Sequence, residues 1–407
     1  MTAQRSRLFR YSMFGMLYFV QGVGLAYYHN FQKPYLNSFH IDADVIGLLA
    51  SILLLPFILK IFIGMLSDRV NLFGLGHRKP YMAMGLVLAA VCFSAASLFS
   101  PGENLTLFAV SVLLGSFSVT LFDSTADGMA IDTTPEHEQG TVQGIMTGSR
   151  AVAFIILSLL FGYIVESFGF RPVFLIIAAS MLLPLIWVLR VEEPPARSQE
   201  RAFSWAAFKV LGQPLFLIFA LYAIVYSIVS FGADGLVTFY LSQRFNAPER
   251  VIGTYGALRG LGAVLGALGG GLLVDRLGRA RSAYLAALLV MLGVALLGLM
   301  PSMQALVGIG IAWGVAWGFQ ETVFFALAMR IADTRIAASM FALMMAVSNI
   351  GSAIGEGVAT GLTDDIGFVT VFLGLAAFNL VVFPVLWALT RFLPASALAR
   401  AAAPAER

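Results

Sequence analysis

Charged residues are scarce in this chain. Only 12% of its 407 residues are Asp, Glu, Lys or Arg, whereas soluble domains average about 25%. With 59% hydrophobic residues and a mean hydropathy of +0.88, the chain cannot cover a water-facing surface with polar groups. A single cysteine, Cys92, excludes an internal disulfide. The composition excludes a large soluble domain and indicates that the chain lies in a lipid bilayer.

Sequence signals for enzymes and for nucleic-acid binding are also missing. The four histidines and the one cysteine form no metal-ligand pattern, and the chain has no Gly-Lys-Ser/Thr phosphate loop. The formal net charge of +3 is too small to indicate a nucleic-acid partner. We therefore expect no enzyme activity, no metal, no cofactor and no nucleic-acid partner.

Long apolar runs fill most of the sequence. A membrane-spanning helix needs about 20 apolar residues, and twelve such runs are present. The sequence therefore predicts an all-α polytopic membrane protein with 12 transmembrane helices. The predicted helices lie near residues 11–36, 45–66, 80–99, 105–131, 140–166, 171–190, 214–242, 250–273, 282–300, 304–331, 336–363 and 368–391.

A polar motif follows the second predicted helix and returns after the eighth. Each copy ends a helix with an Asp-Arg pair, turns on glycine, adds further cations and leads into another apolar helix. A motif that repeats with its flanking hydropathy indicates an internal duplication. The motif residues are Gly64, Asp68, Arg69, Arg78 and Lys79 in the first copy, and Gly271, Asp275, Arg276 and Arg279 in the second.

The duplication predicts two pseudo-symmetric six-helix bundles. A second pairing supports the same register, because Gly169 and Phe170 match Gly367 and Phe368. The polar stretch between the halves predicts either a short interfacial helix or a simple linker. The predicted domains are residues 1–190 (N-terminal bundle), 191–212 (cytoplasmic linker), 213–393 (C-terminal bundle) and 394–407 (cytoplasmic tail).

Two parallel copies of six helices resemble the plan of the major facilitator superfamily. Pro56 and Lys60 in helix two, with a motif loop lengthened by residues 70–75, resemble one branch of it. That branch holds the AmpG-type muropeptide permeases, the acetyl-coenzyme A transporters and the folate–biopterin transporters. Ala126 departs from the glutamine that the branch has in helix four. The resemblance implies a monomeric transporter of a small molecule that works by alternating access, with the proton gradient as its driving force.

The distribution of cations predicts the orientation in the membrane. If both termini are cytoplasmic, the inner segments hold most Lys and Arg residues, as the positive-inside rule requires. The outer loops then hold chiefly Arg171, Arg244 and Arg250. We therefore expect a multi-pass protein of the cell inner (plasma) membrane with both termini in the cytoplasm.

The two aspartates of the repeated motif are candidates for a cytoplasmic gate. Asp68 and Asp275 end their helices, where a carboxylate is unfavourable for the helix dipole. The superfamily resemblance implies that Asp68 contacts the N-terminus of helix eleven and that Asp275 contacts helix five. These contacts would hold the cytoplasmic side shut. The alternative is that the charges only orient the chain during insertion.

Several ionisable residues lie inside the predicted helices, where they are costly unless they face a cavity or a partner. Lys60 and Asp123 fall about 7–10 Å to the cytoplasmic side of their helix midpoints. This depth predicts an inner ion pair with Arg150 nearby. Three further ionisable residues fall in the outer half of the membrane, which predicts an outer cluster in which the arginine faces one of the two carboxylates. For both clusters, the alternative is that each pair only neutralises its own charge within a bundle. The outer charge cluster consists of Asp234, Arg259 and Glu356.

Proton coupling requires a carboxylic acid that titrates near neutral pH, which desolvation favours. Glu321 is the first candidate, because it neighbours Gln320 near mid-membrane and has no cation on the adjoining turns. Glu356 and Asp123 are the next candidates.

Polar and aromatic residues on several helices predict a central substrate cavity. Apolar-aromatic walls with a few polar groups suit an amphipathic organic solute, and three intramembrane cations favour an anionic one. For each neutral residue, an interhelical hydrogen bond is an equal alternative, and His29 is either a packing residue, a substrate contact or a proton relay. The predicted cavity residues are Gln21, Tyr27, His29, Asn30, Lys60, Asp123, Arg150, Tyr226, Gln320 and Asn349.

Three runs of glycine spaced four residues apart predict close approach of helices. They are Gly140/Gly144/Gly148, Gly262/Gly266 and Gly351/Gly355.

Proton-coupled import of an organic anion or amphipathic metabolite fits these observations. A proton-driven exporter of drugs or metabolites is the first alternative. The second is a membrane assembly factor derived from a transporter, although retained intramembrane charges have little use in a scaffold.

Overall fold

The computed structural model describes residues 7–193, 209, 212–331 and 337–392. Every regular element in these ranges is a helix, so the predicted all-α fold is confirmed. The predicted tail and most of the predicted linker, including its interfacial helix, lie outside the described residues.

Six long helices form the first half of the chain. Proline occupies the first turn of three of them, where its fixed φ suits a helix start and no backbone donor is lost. We number them α1 (Arg7–Asn30), α2 (Ala43–Arg69), α3 (Lys79–Ala96), α4 (Pro101–Thr133), α5 (Glu136–Phe168) and α6 (Arg171–Val188).

Six further helices follow in the same order in the second half. Eleven of the twelve are long and apolar enough to cross a membrane. The exception is α1, whose glycine, tyrosine, glutamine and histidine residues lower its hydropathy. The second set is α7 (Pro214–Phe245), α8 (Glu249–Leu277), α9 (Arg279–Gly298), α10 (Leu306–Ile331), α11 (Ala337–Gly361) and α12 (Phe368–Phe392).

The turns that precede α6 and α12 confirm the register of the repeat. Gly169 has a φ of 77° and Gly367 a φ of 76°. Both lie in the left-handed region that glycine adopts without steric cost. The matching Gly-Phe pairs therefore reverse the chain with the same backbone geometry.

The chain divides into two compact units that interleave in sequence. The first consists of Met1–Asp42, Leu49–Phe203 and Ser242–Ala257, and the second of Ala43–Leu48, Ser204–Leu241 and Leu258–Arg407. The predicted domain limits near residues 190 and 213 stay predictions, because residues 194–208 and 210–211 lie outside the described ranges.

In the first unit, α1 packs along α5 and α3 packs along α4. Gly22 allows the first contact, because a Cβ there would lie 2.4 Å from the carbonyl oxygen of Arg150. Gly85 does the same for α3, where a Cβ would lie 2.8 Å from the carbonyl oxygen of Ser118. Small residues thus set the spacing of the helices that carry the intramembrane charges.

In the second unit, α8 and α10 cross with their backbones in contact. A Cβ on Gly266 would lie 2.1 Å from the carbonyl oxygen of Val315, and one on Gly318 would lie 2.1 Å from that of Ala263. The close approach predicted for the glycines of α8 is therefore confirmed, and α10 supplies matching glycines. The same holds for α11, where a Cβ on Gly355 would lie 2.4 Å from the carbonyl oxygen of Ile228 on α7.

The prediction for the glycines of α5 was wrong. Gly140, Gly144 and Gly148 are exposed, and no described atom would lie within 4 Å of a Cβ at any of them. The spacing of small residues marks a helix face, but the tertiary structure decides whether another helix packs against it.

Gly266→Ala is expected to destabilise the protein by about 1–3 kcal/mol, because the added methyl group forces two backbones apart. Gly144→Ala is the matched control, with the same substitution in open space on α5. It should stabilise its helix by up to about 1 kcal/mol. Thermal unfolding of both purified variants measures the difference, and equal melting temperatures would contradict the proposed close packing.

Candidate functional site

Lys60 lies between two carboxylates in the first unit. Its Nζ is 2.5 Å from Oδ2 of Asp123 and 2.7 Å from Oδ2 of Asp127. The two aspartates stand one turn apart on α4, while Lys60 follows a break in α2 at Leu59. Asp123 is buried, with 3% of its surface exposed, whereas the side chain of Asp127 is 36% exposed. The predicted pair of Lys60 and Asp123 is therefore present, with a second carboxylate added.

Tyr18 on α1 links this ion pair to Arg150 on α5. The Tyr18 hydroxyl donates a hydrogen bond to Oδ1 of Asp127. Its ring lies 5.6 Å from Cζ of Arg150, within the range of a cation–π interaction. Arg150 is half-buried and makes no ion pair with any side chain that the structure describes. The inner cluster thus brings together the three residues predicted there, and one of its two cations, Arg150, makes no ion pair with a described carboxylate.

The outer cluster in the second unit has a different character. Arg259 holds Asp234 with two parallel hydrogen bonds, at 2.8 Å from Nε and 2.6 Å from Nη2. Trp313 donates its indole N–H to the same carboxylate at 2.8 Å, and the Arg259 guanidinium lies 4.1 Å from the ring centre of Trp317. Both charged residues are buried. Arg259 is therefore bound by a carboxylate and covered by an aromatic ring.

The carboxylates proposed for proton coupling occupy separate places in the second unit. Glu356 is buried on α11 and lies beside Gly235, where a Cβ would be 2.1 Å from its Oε2. Glu321 on α10 accepts a hydrogen bond of 2.8 Å from the Tyr226 hydroxyl. The neighbouring Gln320 donates from Nε2 to the Tyr222 hydroxyl at 2.8 Å. Glu321 is thus held by a hydrogen bond from the Tyr226 hydroxyl on α7.

The neutral residues predicted for the cavity differ in their environment. Asn30 donates from Nδ2 to Ser158 at 2.8 Å, which is the interhelical bond of the alternative interpretation. His29 is half-buried, and its ring packs on Phe154. Gln21 and Tyr27 are buried, and neither the Gln21 Oε1 nor the Tyr27 hydroxyl has a described hydrogen-bond partner.

On the second unit, Gln320 also keeps one buried polar atom, Oε1, without a described partner. Buried polar atoms are normally satisfied, so such atoms mark places where water or solute is expected. The Tyr226 hydroxyl is hydrogen-bonded to Glu321 and lies 3.5 Å from Oγ of Ser348. Asn349 on α11 is half-buried.

The first copy of the repeated motif folds back on itself. Arg78 places Nη2 at 2.7 Å from Oδ1 of Asp68 and Nε at 3.4 Å from Oδ2 of Asp132. Its Nη1 donates to Ser67 at 2.6 Å. The side chain of Arg78 is buried, whereas Arg69 is exposed. Asp68 therefore has a cation of its own motif as a partner.

The partner inferred for Asp68 is the N-terminus of helix eleven, which was predicted to begin near residue 336. Residues 332–336 lie outside the described ranges, so this contact stays a prediction. Gly64 lies against α4, since a Cβ there would be 3.3 Å from Oγ of Ser124.

Glu193, which follows α6 at the end of the first half of the chain, binds the backbone of the first motif. Its carboxylate accepts the backbone N–H groups of His77, Arg78 and Lys79 at 2.8, 2.7 and 2.5 Å. A carboxylate at a helix N-terminus satisfies unpaired donors and interacts favourably with the helix dipole. Glu193 was not predicted, because no sequence pattern connects a residue with a helix start more than a hundred positions earlier.

The second copy of the motif is more open. Asp275 and Arg276 are exposed, and Asp275 makes no ion pair with a described side chain. A Cβ at Gly271 would meet no described atom within 4 Å, and Arg279 begins α9. The inferred contact of Asp275 with helix five stays a prediction.

Three residues of the two clusters escaped the predicted site. Tyr18 carries no signal of its own, because tyrosine is common in membrane helices. Asp127 was not assigned to the inner cluster, although its position one turn from Asp123 was an available clue. Trp313 was identified as part of the outer cluster only in the structure, from its hydrogen bond to Asp234. Among the described residues, no group of three or more His, Cys, Asp or Glu side chains has the geometry of a metal site.

Comparisons with known proteins agree on one family. The model of the Major Facilitator Superfamily matches residues 11–242 and 222–406. A folate-biopterin transporter from Synechocystis is 25% identical over 378 residues, covering 86% of this chain and 74% of that protein. The anhydromuropeptide permease of Escherichia coli is 23% identical over 387 residues, covering 92% and 79%. The quinolone resistance protein NorA of Staphylococcus aureus is 24% identical over 207 residues, covering 51% of each chain.

Solved structures have the same fold. A bacterial homologue of the human lysosomal transporter Spinster has a TM-score of 0.73 at 18% identity and covers 95% of this chain and 98% of its own. The nucleoside transporter NupG has a TM-score of 0.72 at 15% identity and covers 97% and 100%. At these identities the likeness concerns the fold alone.

Proposed function

The chain belongs to the major facilitator superfamily and is therefore a membrane transporter and not an enzyme, and we propose that it imports an organic anion together with protons. In this proposal the solute is anionic or amphipathic, the membrane is the cell inner membrane, and both termini are cytoplasmic. The protein works as a monomer, and the proton gradient supplies the energy.

Arg150 is the observation that carries the proposal. A cation inside a membrane span is costly unless it has a partner or a function. Arg150 is half-buried at mid-helix, and it makes no ion pair with a described carboxylate. The face of the Tyr18 ring holds the guanidinium in place while its N–H donors stay available. A planar guanidinium binds a carboxylate through two parallel hydrogen bonds, so a solute carboxylate is the fitting ligand.

The other two intramembrane cations strengthen this assignment by contrast. Lys60 is shared by two aspartates, and Arg259 is bound by Asp234 and covered by Trp317. A solute would have to displace a protein carboxylate at either of them. Arg150 requires no such displacement, so an anion gains the full interaction there.

Carboxylates inside the helices of both units make proton coupling chemically reasonable. Asp123 belongs to the inner cluster, whereas Glu321 and Glu356 lie on α10 and α11 of the second unit. Glu321 is hydrogen-bonded to a tyrosine hydroxyl, so protonation would change a defined interhelical contact. We retain Glu321 as the first candidate for coupling and Glu356 and Asp123 as the next.

Two relatives define the solutes to test first. One is named for folate and biopterin, and the other for anhydromuropeptides. In the first unit, the polar atoms of Gln21 and Tyr27 without described partners are the neutral groups that such a solute would contact. The relative named for quinolone resistance supports a second candidate function, the export of drugs or metabolites.

A ligand screen by thermal shift tests the proposal. Full-length protein in detergent is melted with folates, pterins, anhydromuropeptides, hydrophobic drugs and neutral sugars, at mildly acidic and mildly alkaline pH. A ligand at one hundred times its Kd stabilises by about 2.7 kcal/mol. Anions should stabilise the wild type in a pH-dependent manner, whereas Arg150→Ala should weaken their binding about 10- to 100-fold, since charged hydrogen bonds contribute roughly 1.5–3 kcal/mol.

Arg244→Ala is the matched control, because it removes an exposed arginine. It should respond to anions as the wild type does. Glu321→Gln should keep anion binding and lose the part of its pH dependence that Glu321 contributes. Stabilisation by neutral sugars alone, or equal anion binding by Arg150→Ala, would contradict anion transport. Stabilisation by hydrophobic drugs alone would favour the exporter.

A further inference from the structure

Tyr18 contacts both Arg150 and Asp127, which is one of the two carboxylates that share Lys60. Its hydroxyl and its ring face point to opposite charges. The hydroxyl donates to Asp127, and the ring receives the Arg150 guanidinium. A phenylalanine could make only the cation–π contact with Arg150, and a serine could make only the hydrogen bond to Asp127. The position therefore requires both properties of tyrosine.

We propose that Tyr18 is the positioning residue that couples the binding of a solute carboxylate at Arg150 to protonation of Asp127. The inference rests on the proposed function, because it assumes that Arg150 binds the anion. It assigns the proton to a residue that the sequence did not single out for coupling.

Asp127 is the carboxylate that Tyr18 contacts, and it is the more accessible of the two. Its side chain is 36% exposed, whereas Asp123 is almost completely buried. One of its oxygens accepts from Tyr18 and the other from Lys60. If Asp127 takes a proton, Lys60 still keeps its contact of 2.5 Å with Asp123. Protonation therefore costs the cluster one ionic contact and leaves the other intact.

The charges around Asp127 explain why anion binding would promote protonation. Lys60 faces it from α2, Asp123 lies one turn away on α4, and Arg150 stands behind the Tyr18 ring on α5. With the nearby Lys60, Asp123, Asp127 and Arg150 counted together, the charges balance. A bound carboxylate adds one negative charge, and a proton on Asp127 restores the balance.

Arg78 on α3 is the remaining charge near this turn of α4. The Arg78 guanidinium lies against Gly128, the residue that follows Asp127 in the sequence. It pairs with Asp68 and Asp132, and these two carboxylates already compensate its charge. The balance at Asp127 is therefore governed by Lys60, Asp123 and Arg150.

Tyr18 transmits the change because its two contacts share one rigid ring. A solute carboxylate draws Arg150 into a bidentate pair and weakens the cation–π contact with the ring. The hydroxyl is fixed to that ring, so any movement of the ring alters the hydrogen bond to Asp127. Anion binding at Arg150 therefore affects Asp127 in two ways, through the movement of the Tyr18 ring and through the change in local charge.

Infrared titration of the carboxylic acid band tests the link without any solute. The Asp127 band is identified as the one missing in Asp127→Asn. Tyr18→Phe removes only the hydroxyl, and the band midpoint should move to higher pH by about one pH unit. Arg150→Ala mimics neutralisation of the cation and should move the midpoint in the same direction. Tyr28→Phe, on the same helix with its hydroxyl 3.4 Å from a backbone carbonyl, should leave it unchanged.

Uptake of folic acid into proteoliposomes provides the second readout. Tyr18→Phe should keep KM within about threefold, reduce kcat about tenfold and shift the pH profile, because a hydrogen bond to a charged group is lost. In an Asp127→Asn background, Tyr18→Phe should have no further effect on the pH profile. Thermal melting confirms that each variant is folded.

The outcomes separate this inference from the proposed function. Unchanged midpoints in both Tyr18→Phe and Arg150→Ala would overturn the coupling role of Tyr18, whatever the uptake results. Shifted midpoints with anion binding that does not depend on Arg150 would keep the link to Asp127 and overturn the proposed anion site. A structural role of Tyr18 alone would lower stability without moving the midpoint.

Discussion

Asp234→Ala is expected to lower the free energy of unfolding by about 3–5 kcal/mol, the range measured when one partner of a buried ion pair is removed. The substitution removes both hydrogen bonds of Arg259 to this carboxylate and the acceptor of the Trp313 indole N–H. A buried guanidinium then loses its bidentate partner in a region where water cannot replace it. Thermal or denaturant unfolding in detergent measures the loss.

The chain offers a matched control for this prediction. Glu166 and Arg250 form an ion pair of 3.2 Å whose side chains are 36% and 56% exposed. Glu166→Ala should cost at most about 1 kcal/mol, because water screens such pairs. The double variant Asp234→Leu with Arg259→Met should recover part of the stability lost in Asp234→Ala. If Asp234→Ala melted like Glu166→Ala, the outer cluster would not stabilise the second unit.

Lys60→Met is expected to abolish transport and to destabilise the protein by about 3–5 kcal/mol at neutral pH. The substitution keeps the length of the side chain and removes the ammonium group shared by Asp123 and Asp127. The two carboxylates then stand one turn apart with no cation between them, and like charges at this spacing repel.

The defect of Lys60→Met should decrease as the pH falls. Without the cation, the folded variant binds more protons than the unfolded chain does, so its stability rises with acidification. A second substitution, Asp123→Asn, should restore stability at neutral pH, and Lys60→Arg should retain most of it. Unfolding curves over a pH series test both expectations. A loss of stability that is independent of pH would show that Lys60 acts through packing.

The positions of the intramembrane charges were predictable from the sequence. A helix rises about 1.5 Å per residue, so residue numbers give depths, and charges at equal depth are candidates for pairing. This reasoning found Lys60 with Asp123, and Arg259 with one of two carboxylates. It could not find Tyr18, because the partners of a neutral side chain depend on helix rotation and not on depth alone.

The glycine runs show the same limit from another side. The glycines of α8 and of α5 have the same spacing, yet only those of α8 meet another backbone. The difference arises because α10 contributes Gly314 and Gly318 at the crossing point, whereas no described residue packs on the glycines of α5. A pairwise property of two helices cannot be inferred from one of them.

The partner of Asp68 was difficult to predict for a specific reason. Residues 70–75 lengthen the loop, and Gly74 and Gly76 have positive φ values of 71° and 125°. This extra chain turns back far enough for Arg78 to reach Asp68. An inference drawn from the superfamily pattern, which lacks the additional residues, does not include this local pair.

The contact of Glu193 with the start of α3 has a consequence for dividing the polypeptide. A break at residue 190, the predicted edge of the first bundle, would put the carboxylate that caps α3 on the opposite fragment. A first fragment that ends after Glu193 retains all three hydrogen bonds to His77, Arg78 and Lys79, and with them the anchored start of α3.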